Sequence, residues 1–392
     1  MNKRLKIAMC IDTYFPMIDG VAMVVDNYAK RLQEYADVTV FCPVVDKHFR
    51  DEYNYKVVRC RSLKPFFLDY VAPMPRFDRR FIKRLKNEGF DLVHIHSPFA
   101  ISSMGVRVAK RKNIPVVATL HSQYKQDLKK NVKLNWLADT VLASLMKTFN
   151  RCDECWAVNE GIRRLYVDEY GLRAKNKVKN NASDFLPIDD RASARREIRQ
   201  EFGASDDQKL FLFVGRINFI KNIPFIIKAL TCLKQQDFAF KMVFVGNGAD
   251  TDALRKLIRE NHLEDAVVLA GEIRDRHKLE KIYSASDLFL FPSLYDANSL
   301  VQIEAASQAL PTLFIRGAKT ASSCVEDQNA FMSDNDPEKY AQKILRIFED
   351  PDLYQTVSTN AQKELYITWD DSVKALMGDY ERIIEEHTEK PQ

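Results

Sequence analysis

The chain has 392 residues, 46% of them hydrophobic and 11% aromatic, with 59 Lys+Arg against 54 Asp+Glu. That length is about twice a typical domain, so two domains with full apolar cores are expected. No apolar run approaches the ~18 residues that a membrane-spanning helix needs. The opening basic residues and I-A-M-C-I make too short an h-region for a secretory signal and read as a first strand.

The near balance of charge hides an asymmetry. Residues 1–184 carry 33 Lys+Arg and 20 Asp+Glu, and the remainder 26 and 34. A basic first half suits nucleic acid, an anionic membrane or an anionic glycan carrier. No recognised nucleic-acid module accompanies it, so nucleic acid is not expected as a partner. Seven scattered cysteines, an odd number, argue against a disulfide framework and fit a reducing cytoplasm. Cys152 and Cys155 have metal or redox spacing, but no second pair or nearby histidine completes a site, and buried thiols are expected.

In chain order, apolar strands alternate with amphipathic helices. Strands are predicted at 6–12, 38–43, 56–61, 91–96, 115–121 and 154–158, and helices at 20–35, 100–112 and 136–150. Turn formers and a proline between 180 and 191 mark a linker. The alternation then restarts with strands at 210–214, 241–245, 267–270, 287–292 and 312–315, and helices at 223–233, 250–262 and 299–310. This is the pattern of doubly wound parallel sheets. The fold class is therefore α/β, with two tandem Rossmann-like domains, 1–184 and 185–370, whose strand ends are expected to face one cleft. A last helix, 371–392, follows.

The chemistry concentrates in D-L-F-L-F-P-S-L-Y-D-A-N-S-L-V-Q-I-E, from Asp287 to Glu304. A buried strand closed by proline leads through a polar loop into a helix with Asn298 or Ser299 as N-cap. Unpaired first-turn amides and the helix dipole suit an anion there. Asp296 and Glu304 would repel a phosphate, so they are expected to address hydroxyls of a sugar and a ribose. Upstream, F-V-G-R-I-N-F-I-K-N sets Gly215, Arg216 and Lys221 after a strand. Two fixed cations there would stabilise accumulating negative charge; a solvated charge pair is the alternative.

Asp296 and Glu304, eight positions apart, resemble the paired glutamates of retaining glycosyltransferases of family 4, with Asp for the first Glu. Gly215-Arg216 with Lys221 resembles that family's diphosphate grip. The resemblance covers nearly the whole chain and implies the GT-B fold, with the last helix, 371–392, crossing back to the first domain. It implies a donor site of Gly20, Gly215, Arg216, Lys221, Ile273, Asn298, Ser299, Leu300 and Glu304, with the backbone near Ile273 facing the nucleobase. Catalytic roles fall by resemblance to His121, Asp296, Arg216 and Lys221. His94 is expected to be buried and hydrogen-bonded, and His96 to shape the acceptor side. Gly20 stands in the strand-to-helix loop 14–21 after Asp19, where the family often has a second glycine; a plain turn is the alternative. Ala182 and Ala330 also replace usual Asn-Gly turns.

No Asp-x-Asp pair stands at a strand end to hold a metal, so neither metal nor cofactor is expected beyond the nucleotide-sugar co-substrate, most simply UDP-linked. The expected activity is metal-independent transfer with retention, through an oxocarbenium-like state, to a cell-envelope lipid, lipid-linked glycan or polysaccharide. A non-catalytic partner of a true transferase and a nucleotide-sugar epimerase stand as alternatives. Two basic stretches, 76–86 with Phe77, Phe81 and Leu85, and 125–136 with Lys125, Lys129, Lys130 and Lys133, either lie on an anionic bilayer or are amphipathic helices with core-facing apolar sides. A cytoplasmic location, peripheral on the inner membrane face, would follow from the first.

Overall fold

The computed structural model describes residues 4–17, 19–64, 71–131 and 135–389, the side chains at 127, 129–131 and 135–138 excepted. The chain forms two compact units, Met1–Asn181 with Trp369–Gln392, and Ala182–Thr368. The divisions thus fall at 181/182 and 368/369, slightly ahead of the expected ones. Ser183 pairs with Thr368, so both ends of the second unit lie side by side in a short parallel bridge.

In the first unit the strands are β1 (Leu5–Cys10), β2 (Ala36–Pro43), β3 (Lys56–Cys60), β4 (Leu92–Ile95), β5 (Val116–Leu120), β6 (Glu154–Ala157) and β7 (Lys175–Val178). They form one parallel sheet in the order β3-β2-β1-β4-β5-β6-β7. Strands β4 and β5 are buried throughout, which is why they read as continuous apolar runs. The edge strand β7, Lys-Asn-Lys-Val, is half-exposed and lacks that signal; it was not expected. The order reverses between β1 and β4, and such switch points are where these sheets bind ligands.

The helix Trp369–Thr388 belongs to this unit, beginning earlier than predicted. Its fastening is partly ionic. Glu154 on β6 is buried and receives Arg382 Nη2 at 2.8 and 3.0 Å and Trp156 Nε1 at 2.8 Å. Asp379 takes Lys179 at 2.7 Å and also Lys177. A buried carboxylate needs such partners, because an unpaired charge costs several kcal/mol.

The first basic stretch resolves towards its core reading. In the helix Arg79–Asn87, Phe81 and Leu85 are buried, and Phe81 meets Phe41 edge-on with ring centroids 5.4 Å apart. Phe77, outside that helix, is 74% exposed. The second stretch spans the helices Tyr124–Asn131 and Asn135–Phe149. Lys133 and Leu134, and the side chains of Lys129, Lys130 and Trp136, lie outside the described residues. Among the described residues, no helix is long and apolar enough to cross a membrane. The described cysteines, Cys152 and Cys155 included, are free thiols.

The second unit repeats the scheme. Strands β8 (Lys209–Val214), β9 (Phe240–Val245), β10 (Val267–Gly271), β11 (Leu288–Phe291), β12 (Thr312–Ile315) and β13 (Phe331–Ser333) lie parallel in the order β10-β9-β8-β11-β12-β13. Phe211, Phe213, Phe289, Phe291 and Phe244 fill the core between sheet and helices. The helices Arg191–Phe202, Arg276–Ala285, Pro337–Glu349 and Pro351–Leu365 were not anticipated. The first of them begins inside the expected linker, where Asp190 caps it through Ser193 N at 2.8 Å.

Two glycines set how closely the carboxyl ends of β8 and β9 approach. Gly246 has φ +132°, and a Cβ there would lie 2.0 Å from the Gly215 carbonyl oxygen; at Gly248 it would lie 2.1 Å from that of Ile217. These are backbone atoms fixed by Gly215 N to Val245 O (2.9 Å) and Ile217 N to Asn247 O (3.1 Å), so they cannot step aside. Gly246→Ala is therefore expected to cost roughly 3 kcal/mol or more, combining φ strain and overlap. Urea denaturation checks this; a loss below 1 kcal/mol, in order of magnitude, would show that the loop relaxes.

Candidate functional site

The switch point of the second sheet lies between β8 and β11, and Gly215, Arg216, Lys221, Asp296, Asn298, Ser299 and Leu300 follow the carboxyl ends of those strands. After β8, Asn218 Oδ1 accepts Ile220 N at 3.0 Å and Asp250 Oδ2 accepts Phe219 N at 2.7 Å, shaping a 3-10 turn at Phe219–Lys221. Asn222, at φ +62°, then turns the chain into the helix Ile223–Lys234. Its Nδ2 reaches Pro292 O at 3.3 Å, tying this loop to the one after β11.

Lys221 and Asp296 meet there. Lys221 Nζ lies 2.7 and 2.9 Å from the two carboxylate oxygens, with both side chains less than one-fifth exposed. Ser293 Oγ, fully buried, donates to Asp296 Oδ2 at 2.6 Å and accepts from the amides of Tyr295 and Asp296 at 3.3 Å. The sequence reading gave the lysine to a diphosphate and the acid to a sugar; the fold makes them partners. Ser293 was missed, although a serine three positions before an acid in a post-strand loop is a turn signal. Arg216 is exposed beside Gly215, whose φ is +151°.

The helix after β11 runs Leu300–Ser307, starting one residue later and ending three residues earlier than predicted. Ala309 adopts φ +52° and Leu310 N returns to Ala305 O at 3.0 Å, ending the helix before Pro311. Ser299 holds the N-cap position without a side-chain bond to the helix. Asn298 Oδ1 accepts Gln302 Nε2 at 3.2 Å.

Glu304, on that helix, is 6% exposed. Tyr283 Oη donates to its Oε2 at 3.0 Å and Arg276 Nη2 to its Oε1 at 3.1 Å. Burial pushes its carboxyl above the ordinary value, and Arg276 and Tyr283 hold it back. Neither partner was foreseen, because both lie more than twenty residues away in sequence. Ile273, half-buried, follows the end of β10, where Gly271 O accepts Gly246 N at 2.7 Å.

In the first unit, Gly20 opens the helix Gly20–Leu32 and has open space where a Cβ would stand. Asp19 caps that helix, accepting Ala22 N at 2.7 Å and Thr13 Oγ1 at 2.9 Å. The substituted glycine position thus places a carboxylate on an amide that a phosphate would use.

His121 closes β5 and is buried; its Nε2 lies 3.1 Å from His96 Nδ1, and the two rings stack. His94 bonds Tyr380 Oη through Nδ1 and Thr119 Oγ1 through Nε2, both at 2.7 Å. Burial drives His121 down to about 3 and His94 and His96 well below their ordinary value, so this row is neutral near pH 7. Its members can exchange hydrogen bonds with a hydroxyl but cannot supply fixed positive charge. His96 Nε2 has no hydrogen-bond partner among the described residues.

Comparison with known proteins follows the two-unit division. Residues 18–182 match Glycosyltransferase Family 4 and residues 194–364 match Glycosyl transferases group 1. Alpha-monoglucosyldiacylglycerol synthase of Streptococcus pneumoniae is 23% identical over 79% of this chain and 70% of its own length. The synthase of the same name from Acholeplasma laidlawii is 24% identical over 91% and 92%. Among solved structures, Anabaena HepE in complex with UDP-glucose superposes with a TM-score of 0.74 at 17% identity, covering 96% of this chain and all of that one.

Proposed function

Because the chain belongs to the GT-B glycosyltransferases of family 4, we propose that it moves a sugar from a UDP-sugar to a lipid acceptor of the cell envelope, with retention at the anomeric carbon. The carrying observation is the Lys221–Asp296 pair at the switch point of the second sheet, next to a helix start whose Ser299 makes no side-chain bond to the helix. An ammonium, a helix start, an acid in the loop before it and a second acid on the helix form a set suited to a diphosphate flanked by a sugar and a ribose.

In this reading Arg216, Lys221 and the amides of Asn298, Ser299 and Leu300 meet the charge on the departing diphosphate, so no metal is required. Preorganised donors of this kind act where charge develops and contribute several kcal/mol. Asp296, released from Lys221, takes sugar hydroxyls, and Glu304 takes the ribose. The backbone at Ile273 faces the base. His121, as a neutral imidazole, bonds a sugar hydroxyl. Without a carboxylate nucleophile, retention proceeds by departure and attack on one face.

The UDP assignment draws support from HepE, a protein of like fold seen with UDP-glucose. The lipid acceptor draws support from the diacylglycerol-modifying relatives. The basic first unit, with Phe77 exposed beside the cations of the helix Arg79–Asn87, supports a peripheral site on an anionic membrane face.

A thermal-shift panel of UDP-, GDP- and ADP-sugars tests the donor. Ligand at about 100 times its Kd stabilises by ~2.7 kcal/mol, or roughly 5–10 °C for units of this size. UDP-sugars are expected to give the largest shift. A flat response to every nucleotide would favour a non-catalytic partner protein.

A further inference from the structure

We propose that Arg276 is a positioning residue for nucleotide recognition: together with Tyr283 it locks the Glu304 carboxylate so that its remaining acceptor sites meet the two hydroxyls of a ribose. The inference rests on the reading of the second unit as the nucleotide-sugar unit and names the residues that make its acid selective.

Arg276 and Tyr283 stand seven residues apart on the helix Arg276–Ala285, two turns, and so share one face. That face delivers one donor to each oxygen of Glu304, the guanidinium to Oε1 at 3.1 Å and the phenol to Oε2 at 3.0 Å. A carboxylate accepts about four hydrogen bonds. Two sites are filled, one on each oxygen, and one on each is left. That spacing matches a cis-diol better than a single hydroxyl or a phosphate, which the acid would repel.

Arg276 is itself held from two sides. Its guanidinium lies 4.0 Å from the centroid of the Phe185 ring and makes an ion pair with Asp184. Asp275 fixes the start of the helix by accepting Lys278 N at 3.1 Å. A planar fork stacked on a ring and bonded at its edge has little freedom left, which lysine in its place would not reproduce. The Glu304 side chain is 8% exposed and that of Arg276 44%, so the acid is fixed inside while its cation reaches solvent. An ion pair serving stability alone is weakly favoured in such a place, whereas a recognition acid must be both charged and oriented.

The test measures binding of UDP and 2′-deoxy-UDP by calorimetry, and donor KM and kcat for transfer, in wild type, Arg276→Ala, Arg276→Lys and Tyr283→Phe. Wild type is expected to prefer UDP over its 2′-deoxy form by about tenfold or more, the usual worth of a hydrogen bond to a charged group. In Arg276→Ala that preference should collapse towards one, with donor KM rising about tenfold and kcat changing by less than about threefold. Arg276→Lys should recover part of the preference. Tyr283→Phe, which removes only a hydroxyl, should lower it too and serves if Arg276→Ala does not fold. An unchanged preference in the folded variants, or a fall in kcat alone that tracks a lower melting temperature, would overturn the proposal while leaving the nucleotide-sugar reading intact. Failure of wild type to bind either nucleotide would remove that reading and this proposal with it.

Discussion

Lys221→Ala is expected to lower kcat/KM for transfer by roughly 10²–10³, the usual loss when one preorganised stabiliser of developing charge is removed. The fall in stability should be small, about 2 kcal/mol or less, because Ser293 still donates to Asp296 at 2.6 Å. Asp296→Asn separates the two halves of the pair. It keeps the loop shape, since the amide can still bond Ser293, but removes the carboxylate that engages Lys221 at 2.7 and 2.9 Å. UDP alone should then bind more tightly than to wild type, because the ammonium no longer needs to leave a partner and the anion no longer meets a like charge. Transfer should nevertheless fail, the sugar having lost its acid. The two variants therefore move UDP affinity in opposite directions while both lose activity. Equal UDP affinity in wild type and Lys221→Ala, by calorimetry at one ionic strength, would rule out the diphosphate role of the lysine.

The parts of this arrangement that could be read from the chain are those whose signal is local. Strand β11 announces itself as a short apolar run because the sheet buries it on both faces. Lys221, Asp296 and Glu304 stand out by spacing within single strand-loop-helix units. What stayed hidden depends on contacts between distant segments. Arg276 and Tyr283 reach Glu304 across 28 and 21 residues, and nothing in the helix that carries them distinguishes them from any amphipathic pair. Strand β7 was missed for the opposite reason: at the sheet edge a strand needs no apolar pattern. Phe81 and Leu85 fitted both a membrane face and a core face, and only their burial decides between them. Ala330 is likewise a local departure with a tertiary answer. The turn before it is held by Asn329, which accepts Val325 N at 2.8 Å and donates to Glu364 at 2.7 Å.

Acidification from pH 7 to 5 should destabilise the first unit more than the second. His121 is held at about 3 by burial, whereas an unfolded histidine titrates near 6.5. Its folded-state value is depressed, so the unfolded chain binds the proton first. Its stabilising contribution is full above pH 6.5 and is lost as pH falls towards 3. By pH 5 the loss is about 2 kcal/mol. His94 and His96, also lowered by burial, act in the same direction. Asp12 opposes part of this, since burial raises its carboxyl and protonation then favours the folded state as pH falls. In the second unit the described histidines, His262 and His277, are exposed, so no comparable drive exists there. Urea midpoints read at pH 7, 6 and 5 should separate into two transitions, the earlier one moving with pH. His121→Asn, which cannot take up the proton, should flatten that movement. A midpoint independent of pH over this range would mean that the buried row admits protons without unfolding, and the neutral-imidazole role given to His121 would fall with it.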